Sequence, residues 1–299
     1  MTKIGVTRKC LAEGFISRPC VELAGVCFTC FLMLGVRFLC NRTTPTAVYS
    51  YTTLAKTMCK ELKTRVLRLV PQTANGPSVP NGVKQPDWKE VLETTVTSLK
   101  EGQVVAVPTD TIYGLAALAQ SSEAVRKVYD IKGRNGQKPL AICVGEIDDI
   151  YRFCKVTVPE ALLRDLLPGP VTLVLERSEA LNSDLNPFTP LVGVRIPNHS
   201  FIRRLAQMCG GPLALTSANI SSQTSTVAVE EFRDLWPRLA VVVDGGSIGG
   251  QTPECRLGST VIDLSASGRY RVIRPGCALP TTVEILEQKY RLSRETENH

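Results

Sequence analysis

Residues 86–292 are predicted to form one α/β domain of the α+β type, in which helices flank a twisted sheet of parallel and antiparallel strands. Two observations carry this prediction. Short apolar runs with strand character alternate with helical patterns, which is typical of a layered α/β domain with a substantial sheet. Some predicted strands, such as 260–264 and 270–273, are separated by only a short turn, so we expect a mixed sheet and not a wholly parallel one.

The elements follow in order from residue 87. Residues 88–99 predict a helix, and residues 103–108 predict a buried strand that leads into a polar turn. Ser121 and Ser122 are typical of a helix start, and the helix is expected to run through residue 131. A short helix at 159–167 is bounded by Pro159 and Gly169. Further apolar runs predict strands at 140–144, 171–175, 192–196, 213–216, 240–243, 260–264 and 270–273, with helices near 200–208, 229–235 and 282–290.

The N-terminal residues 1–85 are expected to be a poorly ordered targeting and linker segment. Their apolar run at 23–36 is short for a membrane span, which needs roughly 20 apolar residues. Residues 52–70 predict a basic amphipathic helix that resembles a mitochondrial presequence. We therefore expect the protein in the cytoplasm and the mitochondrion, with peripheral membrane association through this segment as an alternative. Residues 293–299 are expected to form a tail.

The charge distribution argues against a general electrostatic nucleic-acid binder. Residues 1–85 carry 12 Lys/Arg and 3 Asp/Glu, whereas residues 86–299 carry 23 Lys/Arg and 25 Asp/Glu. The net charge of +7 therefore originates in the N-terminal segment. The eleven cysteines are scattered, and the chain has only two histidines, so neither a zinc site nor a disulfide framework is expected.

Two polar loops follow or precede predicted strands, where open α/β sheets bind ligands. The loop at 108–115 offers threonine hydroxyls and backbone amides to a small polar ligand, and a capped turn is the alternative. The loop at 132–139 places Lys132, Arg134 and Lys138 between a helix and a strand. Lysine supplies a mobile point charge and arginine a bidentate fork, which suit a triphosphate, although a solvated basic loop is the alternative.

Arg195 gives a sharper signal because it lies inside an otherwise apolar strand. A buried unpaired charge is costly, so we expect a carboxylate partner that belongs either to the protein or to a ligand. The strand at 213–216 runs into Ser217 and Asn219, and similar strand-end turns occur around Ser259 and Arg274. The turn at 244–246 is interpreted as structural. The residues alone therefore predict a nucleotide- or phosphate-binding α/β domain without covalent catalysis.

Eight short motifs are distributed over the predicted domain. They are VPTDTIYGL at 107–115, KGR at 132–134, KPL at 138–140, LPGPVTLVL at 167–175, VGVRIP at 192–197, TSAN at 216–219, GST at 258–260 and IRPG at 273–276. In order and spacing they resemble the YrdC family from about residue 88 to residue 290. The resemblance is especially close to vertebrate single-domain members in the run at 166–193.

The resemblance implies a role for each matching residue. The family's Lys-x-Arg and Ser-x-Asn motifs mark its ATP site, and Lys132 and Arg134 match the catalytic pair. The implied ATP-binding residues are Arg134, Lys138, Ser217, Asn219, Ser225 and Arg274. The implied threonine-binding residues are Thr111, Arg195 and Ser259, with Arg195 on the carboxylate.

The resemblance further implies a threonylcarbamoyl-AMP synthase that uses L-threonine, bicarbonate and ATP with Mg²⁺. The product is expected to pass to a tRNA threonylcarbamoyl transferase, without direct tRNA binding by this chain. Two alternatives remain on the same fold. One is an RNA-binding module, which predicts salt-dependent RNA affinity of the core. The other is a membrane-associated regulatory protein that is tethered by residues 23–40.

Overall fold

A mixed β-sheet forms the centre of the described part of the chain. The computed structural model describes residues 63–69, 87–133, 138–249 and 252–295. The strands in these ranges are β1 Arg65–Arg68, β2 Val105–Val107, β3 Gly114–Leu118, β4 Ala141–Cys143, β5 Cys154–Lys155, β6 Val171–Arg177, β7 Leu191–Arg195, β8 Leu213–Ser217, β9 Val241–Asp244, β10 Thr260–Asp263, β11 Arg269–Arg274 and β12 Ser293–Arg294. They lie in the order β1-β9-β2-β3-β8-β4-β7-β6-β10-β11-β12, and β5 pairs with β6.

Parallel and antiparallel neighbours alternate irregularly along the sheet, which confirms the predicted mixed sheet. The parallel pairs are β1–β9, β2–β9, β4–β7, β6–β10 and β11–β12. The antiparallel pairs are β2–β3, β3–β8, β4–β8, β6–β7, β5–β6 and β10–β11.

Helices cover both faces of this sheet. They are α1 Trp88–Lys100, α2 Ser122–Lys132, α3 Ile147–Phe153, α4 Glu160–Leu166, α5 Ser200–Cys209 and α6 Leu279–Glu284. Two 3₁₀ segments, Val229–Arg238 and Pro253–Arg256, and a π turn, Ile285–Lys289, complete the described helical elements. The helices predicted at 88–99, 122–131, 159–167 and 200–208 are confirmed. The one predicted at 229–235 is a 3₁₀ segment, which is interrupted at Phe232 and contains Pro237.

The sheet has two differently covered faces. Helices α1 and α5 pack on one face through Val91, Leu99 and Leu205, and Trp88 meets the Phe201 ring edge-on at 5.8 Å. Helices α2, α3 and α4 pack on the opposite face, where the buried sheet side chains include Ile142, Leu173, Val194 and Ala214. Their alternate neighbours on β4, β6, β7 and β8 point the other way, as strand geometry requires.

Strands β1 and β12 lie where the sequence predicted a helix and a C-terminal tail, respectively. The helix predicted over 52–70 is wrong at Arg65–Arg68, because these residues form β1 and pair with β9. Leu67 and Leu69 pack against the α1/α5 face, so sheet pairing and burial outweigh the helical spacing of the apolar residues. Strand β12 likewise lies beyond residue 292, so the sheet includes residues on both sides of the predicted 86–292 boundaries.

Candidate active site

A cavity of about 470 Å³ opens on the part of the sheet where alternate side chains are small or polar. Ala141, Gly193 and Leu215 share its floor, since Ala141 pairs with Gly193 on one side and with Leu215 on the other. Such a volume lies within the range of ligand sites, roughly 300–1,000 Å³. The sequence-predicted residues that line the cavity are Lys138, Arg195, Ser217, Ser225, Ser259 and Arg274.

Arg195 lies at the end of β7, is 5% exposed and lines the cavity. Its Nη2 forms an ion pair with Asp110 and donates a hydrogen bond of 2.9 Å to Thr111 Oγ1. The other carboxylate oxygen of Asp110 accepts from the backbone N–H of Asn198 at 2.9 Å. Arg195 Nε is buried without a hydrogen-bond partner among the described residues. The expected carboxylate partner is therefore internal, and it is Asp110.

The loop that carries Asp110 and Thr111 is held by its own side chains. Thr109 Oγ1 accepts from the backbone N–H groups of Thr111 and Ile112 at 3.1 and 3.2 Å. Tyr113 OH donates to Gly246 O at 2.7 Å and accepts from Gly245 N at 3.0 Å. Burial raises the pKa of Tyr113 to about 12, so its hydroxyl stays protonated at neutral pH. These contacts fix Thr111 beside Arg195.

A second group of hydroxyls and a guanidinium lies on β6, immediately before β10, and on β11. Thr172 Oγ1 and Ser259 Oγ are 2.8 Å apart, and both side chains are buried. Arg274 Nη2 donates to Ser259 O at 2.8 Å and to Ser259 Oγ at 3.2 Å. Burial lowers the pKa of the Arg274 guanidinium, and the positive charge of Arg195 lowers it further. The two arginines therefore present positive charge to the same cavity.

Lys132 ends α2 and is fully buried. Its Nζ donates to Ser217 O at 2.7 Å, to Asn219 Oδ1 at 2.9 Å and also to Asn219 O. The turn between Ser217 and Asn219 is thus built around the ammonium group. Ser217 lines the cavity, whereas Lys132 and Asn219 lie behind the cavity lining that the structure describes. Arg134, the other predicted catalytic residue, lies outside the described residues.

Sequence reasoning did not single out Asp110 or Thr172, and it included the Thr109 hydroxyl only as part of the loop at 108–115. Asp110 could have been found as a partner for Arg195, because it precedes Thr111 in a motif already selected. Nothing local distinguishes Thr172, which reads as an ordinary β-branched strand residue. The turn interpreted as structural at 244–246 is confirmed, since Gly246 has φ of 80° and its N–H donates to Asp244 Oδ1.

The described ranges contain no cluster of three or more His, Cys, Asp or Glu residues that could hold a metal ion. Within the same ranges, no helix is both long enough and apolar enough to cross a bilayer. The tether expected at 23–40 lies outside the described residues. In the described residues, the site consists of cationic and hydroxyl groups around one cavity, together with the buried ion pair of Arg195 and Asp110.

The fold and the site together define an anion-binding α/β domain. The model of the Sua5/YciO/YrdC family, described as telomere recombination, matches residues 97–276. Human threonylcarbamoyl-AMP synthase is 66% identical over 206 residues, which cover 69% of this chain and 74% of the human protein. The Pyrococcus abyssi protein of the same name is 35% identical over 184 residues, which cover 60% of this chain and 52% of that protein.

Solved structures agree with the sequence relatives. P. abyssi Sua5 complexed with L-threonine is similar with a TM-score of 0.61 and 26% identity, covering 78% of this chain and 62% of that chain. Escherichia coli YciO, at 19% identity and a TM-score of 0.58, supports the fold alone and covers 72% of this chain and 95% of that chain. The chain belongs to the Sua5/YciO/YrdC family.

Proposed function

We infer that this chain is a threonylcarbamoyl-AMP synthase, which forms L-threonylcarbamoyladenylate and pyrophosphate from L-threonine, bicarbonate and ATP. The observation that carries the inference is the 66% identity to the human enzyme over 206 residues. Family membership implies that the product serves the N6-threonylcarbamoyladenosine modification of tRNA.

The α-carboxylate of L-threonine binds at Arg195. This arginine is held in place by Asp110 and Thr111, and it lines the cavity. Charge-assisted hydrogen bonds of guanidinium to carboxylate are among the strongest in proteins, so the guanidinium is a suitable anchor for a ligand carboxylate in that cavity. The bound L-threonine of P. abyssi Sua5 supports an amino-acid subsite in the family.

The nucleotide binds toward the end of the cavity that is lined by Lys138, Ser217 and Ser225. Cys143 on β4 pairs with Arg195 on one side and with Leu213 on the other. Ser217 lies four residues beyond Leu213 on β8, so its hydroxyl is at the opposite end of these strands from Arg195. Lys132 acts on this end through the Ser217–Asn219 turn that it holds. Arg134 stays a predicted catalytic residue.

The reaction requires no nucleophilic side chain. The threonine amine adds to the carbon of bicarbonate-derived CO₂, an N–C bond forms and one amine proton leaves to solvent. An oxygen of the resulting N-carboxylate attacks the α-phosphorus of ATP, and the bond from that phosphorus to pyrophosphate breaks. Positioning of the reactants and stabilisation of charge supply the catalysis, as is usual for phosphate transfer.

Mg²⁺ enters as part of the substrate MgATP. Because the described residues include no carboxylate cluster for a metal, phosphate oxygens and water are the proposed ligands, which suits Mg²⁺. We also propose that a tRNA threonylcarbamoyl transferase takes the product, and that the protein works in the cytoplasm and the mitochondrion.

Pyrophosphate release by the full-length chain tests this function. Release is expected to require L-threonine and bicarbonate together, with incorporation of labelled bicarbonate into the adenylate. Arg195→Met should raise the KM for threonine at least about tenfold, the size of one lost charged hydrogen bond. Arg204→Met, on the exposed side of α5, is the matched control. Pyrophosphate release that is indifferent to threonine would refute the synthase, and salt-dependent RNA binding by the same protein would favour the RNA-binding alternative.

A further inference from the structure

Asn186 is a buried polar residue that contacts the chain on both sides of the loop at 132–139. Its side chain is fully buried, and its backbone has a φ of 53°. The loop at 132–139 connects the end of α2 to the start of β4. Asn186 reaches both of these elements, through hydrogen bonds with Leu140 and Tyr129.

The first contact is a pair of hydrogen bonds with the backbone of Leu140. Asn186 Oδ1 accepts from the N–H of Leu140 at 2.8 Å, and Asn186 Nδ2 donates to Leu140 O at 2.8 Å. One amide thus pairs with both polar groups of one residue, as in the hydrogen-bonded pairs of an antiparallel ladder. The sheet pairing of β4 begins one residue later, at Ala141. Asn186 therefore extends the fixed backbone toward Lys138, which lines the cavity.

The second contact is with the last turns of α2. Tyr129 OH donates to the same Oδ1 of Asn186 at 2.9 Å. Tyr129 and Lys132 lie three residues apart on α2, and residues at this spacing share one face of a helix. One amide oxygen of Asn186 therefore joins the end of α2, where Lys132 lies, to the residue that precedes β4.

Asn186 is itself held by the loop at 178–190. The guanidinium of Arg177 donates to three backbone oxygens of this loop, including that of Leu185, the residue before Asn186. Asn186 O also accepts from the N–H of Thr189 at 3.2 Å. Asparagine adopts a positive φ more readily than most residues, and its amide supplies both a donor and an acceptor. This position therefore combines a backbone and a side-chain requirement that asparagine meets.

We propose that Asn186 is a positioning residue of the synthase, whose amide fixes both ends of the loop at 132–139. It acts through Leu140 on the placement of Lys138 at the nucleotide end of the cavity, and through Tyr129 on the end of α2 that carries Lys132. The proposal rests on the proposed function and deepens it, because it assigns the geometry of the ATP subsite to a residue outside the cavity lining.

The test measures kcat and the KM values for ATP and L-threonine by pyrophosphate release, with the full-length chain. Asn186→Gly removes the amide, and glycine adopts a positive φ without strain. The KM for ATP should rise and kcat should fall, each at least about tenfold, because misplacement of a group by about 1 Å can cost about 100-fold. The KM for L-threonine should stay near its wild-type value, because Asp110 and Thr111 hold Arg195.

Asn182→Ala is the matched control. Asn182 belongs to the same loop at 178–190, and its Nδ2 donates to Ala119 O at 3.0 Å, ahead of α2. This variant removes an amide that holds the same loop at a point away from Leu140 and Tyr129, so the KM for ATP should not change. A KM is independent of how much variant protein is folded, and a merely structural role of the loop would therefore not distinguish ATP from L-threonine.

A wild-type KM for ATP in Asn186→Gly would overturn the proposal while leaving the synthase function intact, and so would an equal rise in Asn182→Ala. If Asn186→Gly did not fold, Tyr129→Phe would decide, because it removes the hydroxyl that donates to Asn186. There the KM for ATP should rise about fivefold, the size of one hydrogen bond, and an unchanged value would overturn the proposal. Pyrophosphate release by the wild-type chain that does not require threonine would instead refute the synthase function itself.

Discussion

Two buried cations serve the two ends of the cavity, and the protein holds them in different ways. Arg195, 5% exposed, forms an ion pair with the carboxylate of Asp110. Lys132 is fully buried, and its hydrogen bonds to Ser217 and Asn219 end on carbonyl, hydroxyl and amide oxygens. The described contacts of Arg195 include an opposite charge, and those of Lys132 include the dipoles of a turn.

The two cations therefore have different roles: Arg195 presents a guanidinium to the cavity, whereas Lys132 determines the shape of a turn. Because Asp110 already balances the charge of Arg195, the threonine carboxylate proposed to bind there would gain more from correctly placed N–H donors than from net charge. Lys132 instead determines where the backbone of the Ser217–Asn219 turn lies, and the turn in turn offers Ser217 to the cavity. Removal of Arg195 should therefore mainly weaken substrate binding, whereas removal of Lys132 should mainly destabilise the turn.

Lys132→Met is expected to have the largest effect. Methionine keeps much of the volume but removes the donor, and the carbonyl oxygens of Ser217 and Asn219 each lose a charged hydrogen bond. At about 2 kcal/mol for each such bond, the free energy of unfolding should fall by about 4 kcal/mol. Urea unfolding measures this loss, and pyrophosphate release should fall with it at least about 100-fold at a concentration where the variant is folded.

Lys127→Met is the control for this variant. Lys127 lies on the same helix, is partly exposed, pairs with Glu123 and donates a hydrogen bond of 2.9 Å to Gly102 O. An exposed ion pair contributes about 0–1 kcal/mol and one hydrogen bond about 1 kcal/mol, so this variant should lose much less stability than Lys132→Met. Equal unfolding midpoints for Lys132→Met and Lys127→Met would contradict a turn built around the ammonium group.

Asp110→Asn is expected to have a somewhat smaller effect. The amide preserves the size of the side chain but leaves the buried guanidinium of Arg195 without its counter-charge. Breaking a buried ion pair in this way costs about 3 kcal/mol of the free energy of unfolding. The KM for threonine should also rise, because Arg195 is no longer held against Thr111.

A double-mutant cycle sharpens the comparison. Arg195→Met alone leaves the Asp110 carboxylate buried, whereas Arg195→Met combined with Asp110→Asn removes both charges. The double variant should be less destabilised than the sum of the two single variants, by about 1–3 kcal/mol in urea unfolding. Additive losses would mean that the ion pair is not what holds Arg195 in place.

The positions of strands were predicted well where the strand contains many β-branched residues, and less well elsewhere. The strands from 171–175 and 260–264 match β6 and β10, because runs of Val, Ile and Leu favour buried strands. Strand β3, with sequence GLAAL, was missed since it contains no β-branched or aromatic residue. Strand β1 was predicted as a helix, because its partner strand β9 lies 176 residues away in sequence.

The same limit applies to the site. Arg195 was predicted correctly to need a carboxylate partner, since the cost of a buried charge is a local argument. Which carboxylate fulfils this need depends on contacts between residues 85 positions apart, and these follow from topology alone. The burial of Lys132 was not predicted, because in sequence this lysine opens a polar loop and nothing local indicates that the turn at 217–219 surrounds it.

The smallest effect concerns His199, which lies near the ion pair and whose Nδ1 is buried without a partner among the described residues. Burial lowers the pKa of His199 below its usual 6.5; the negative charge of Asp110 raises it and Arg203 lowers it further. Because the unfolded chain then takes up the proton first, the stability that neutral His199 contributes is complete above pH 6.5. It is lost as the pH falls from there toward the folded-state pKa.

Urea unfolding at about pH 7.5 and about pH 5.5 measures this loss. The wild-type chain should lose more stability between the two values than His199→Asn, in which a neutral residue favoured at helix N-caps begins α5. His299→Asn, at the chain's second histidine, is the matched control and should retain the wild-type slope. Equal losses in the wild-type chain and His199→Asn would contradict this prediction. They would show that a protonated imidazole beside Asp110 and Arg195 does not destabilise the folded state.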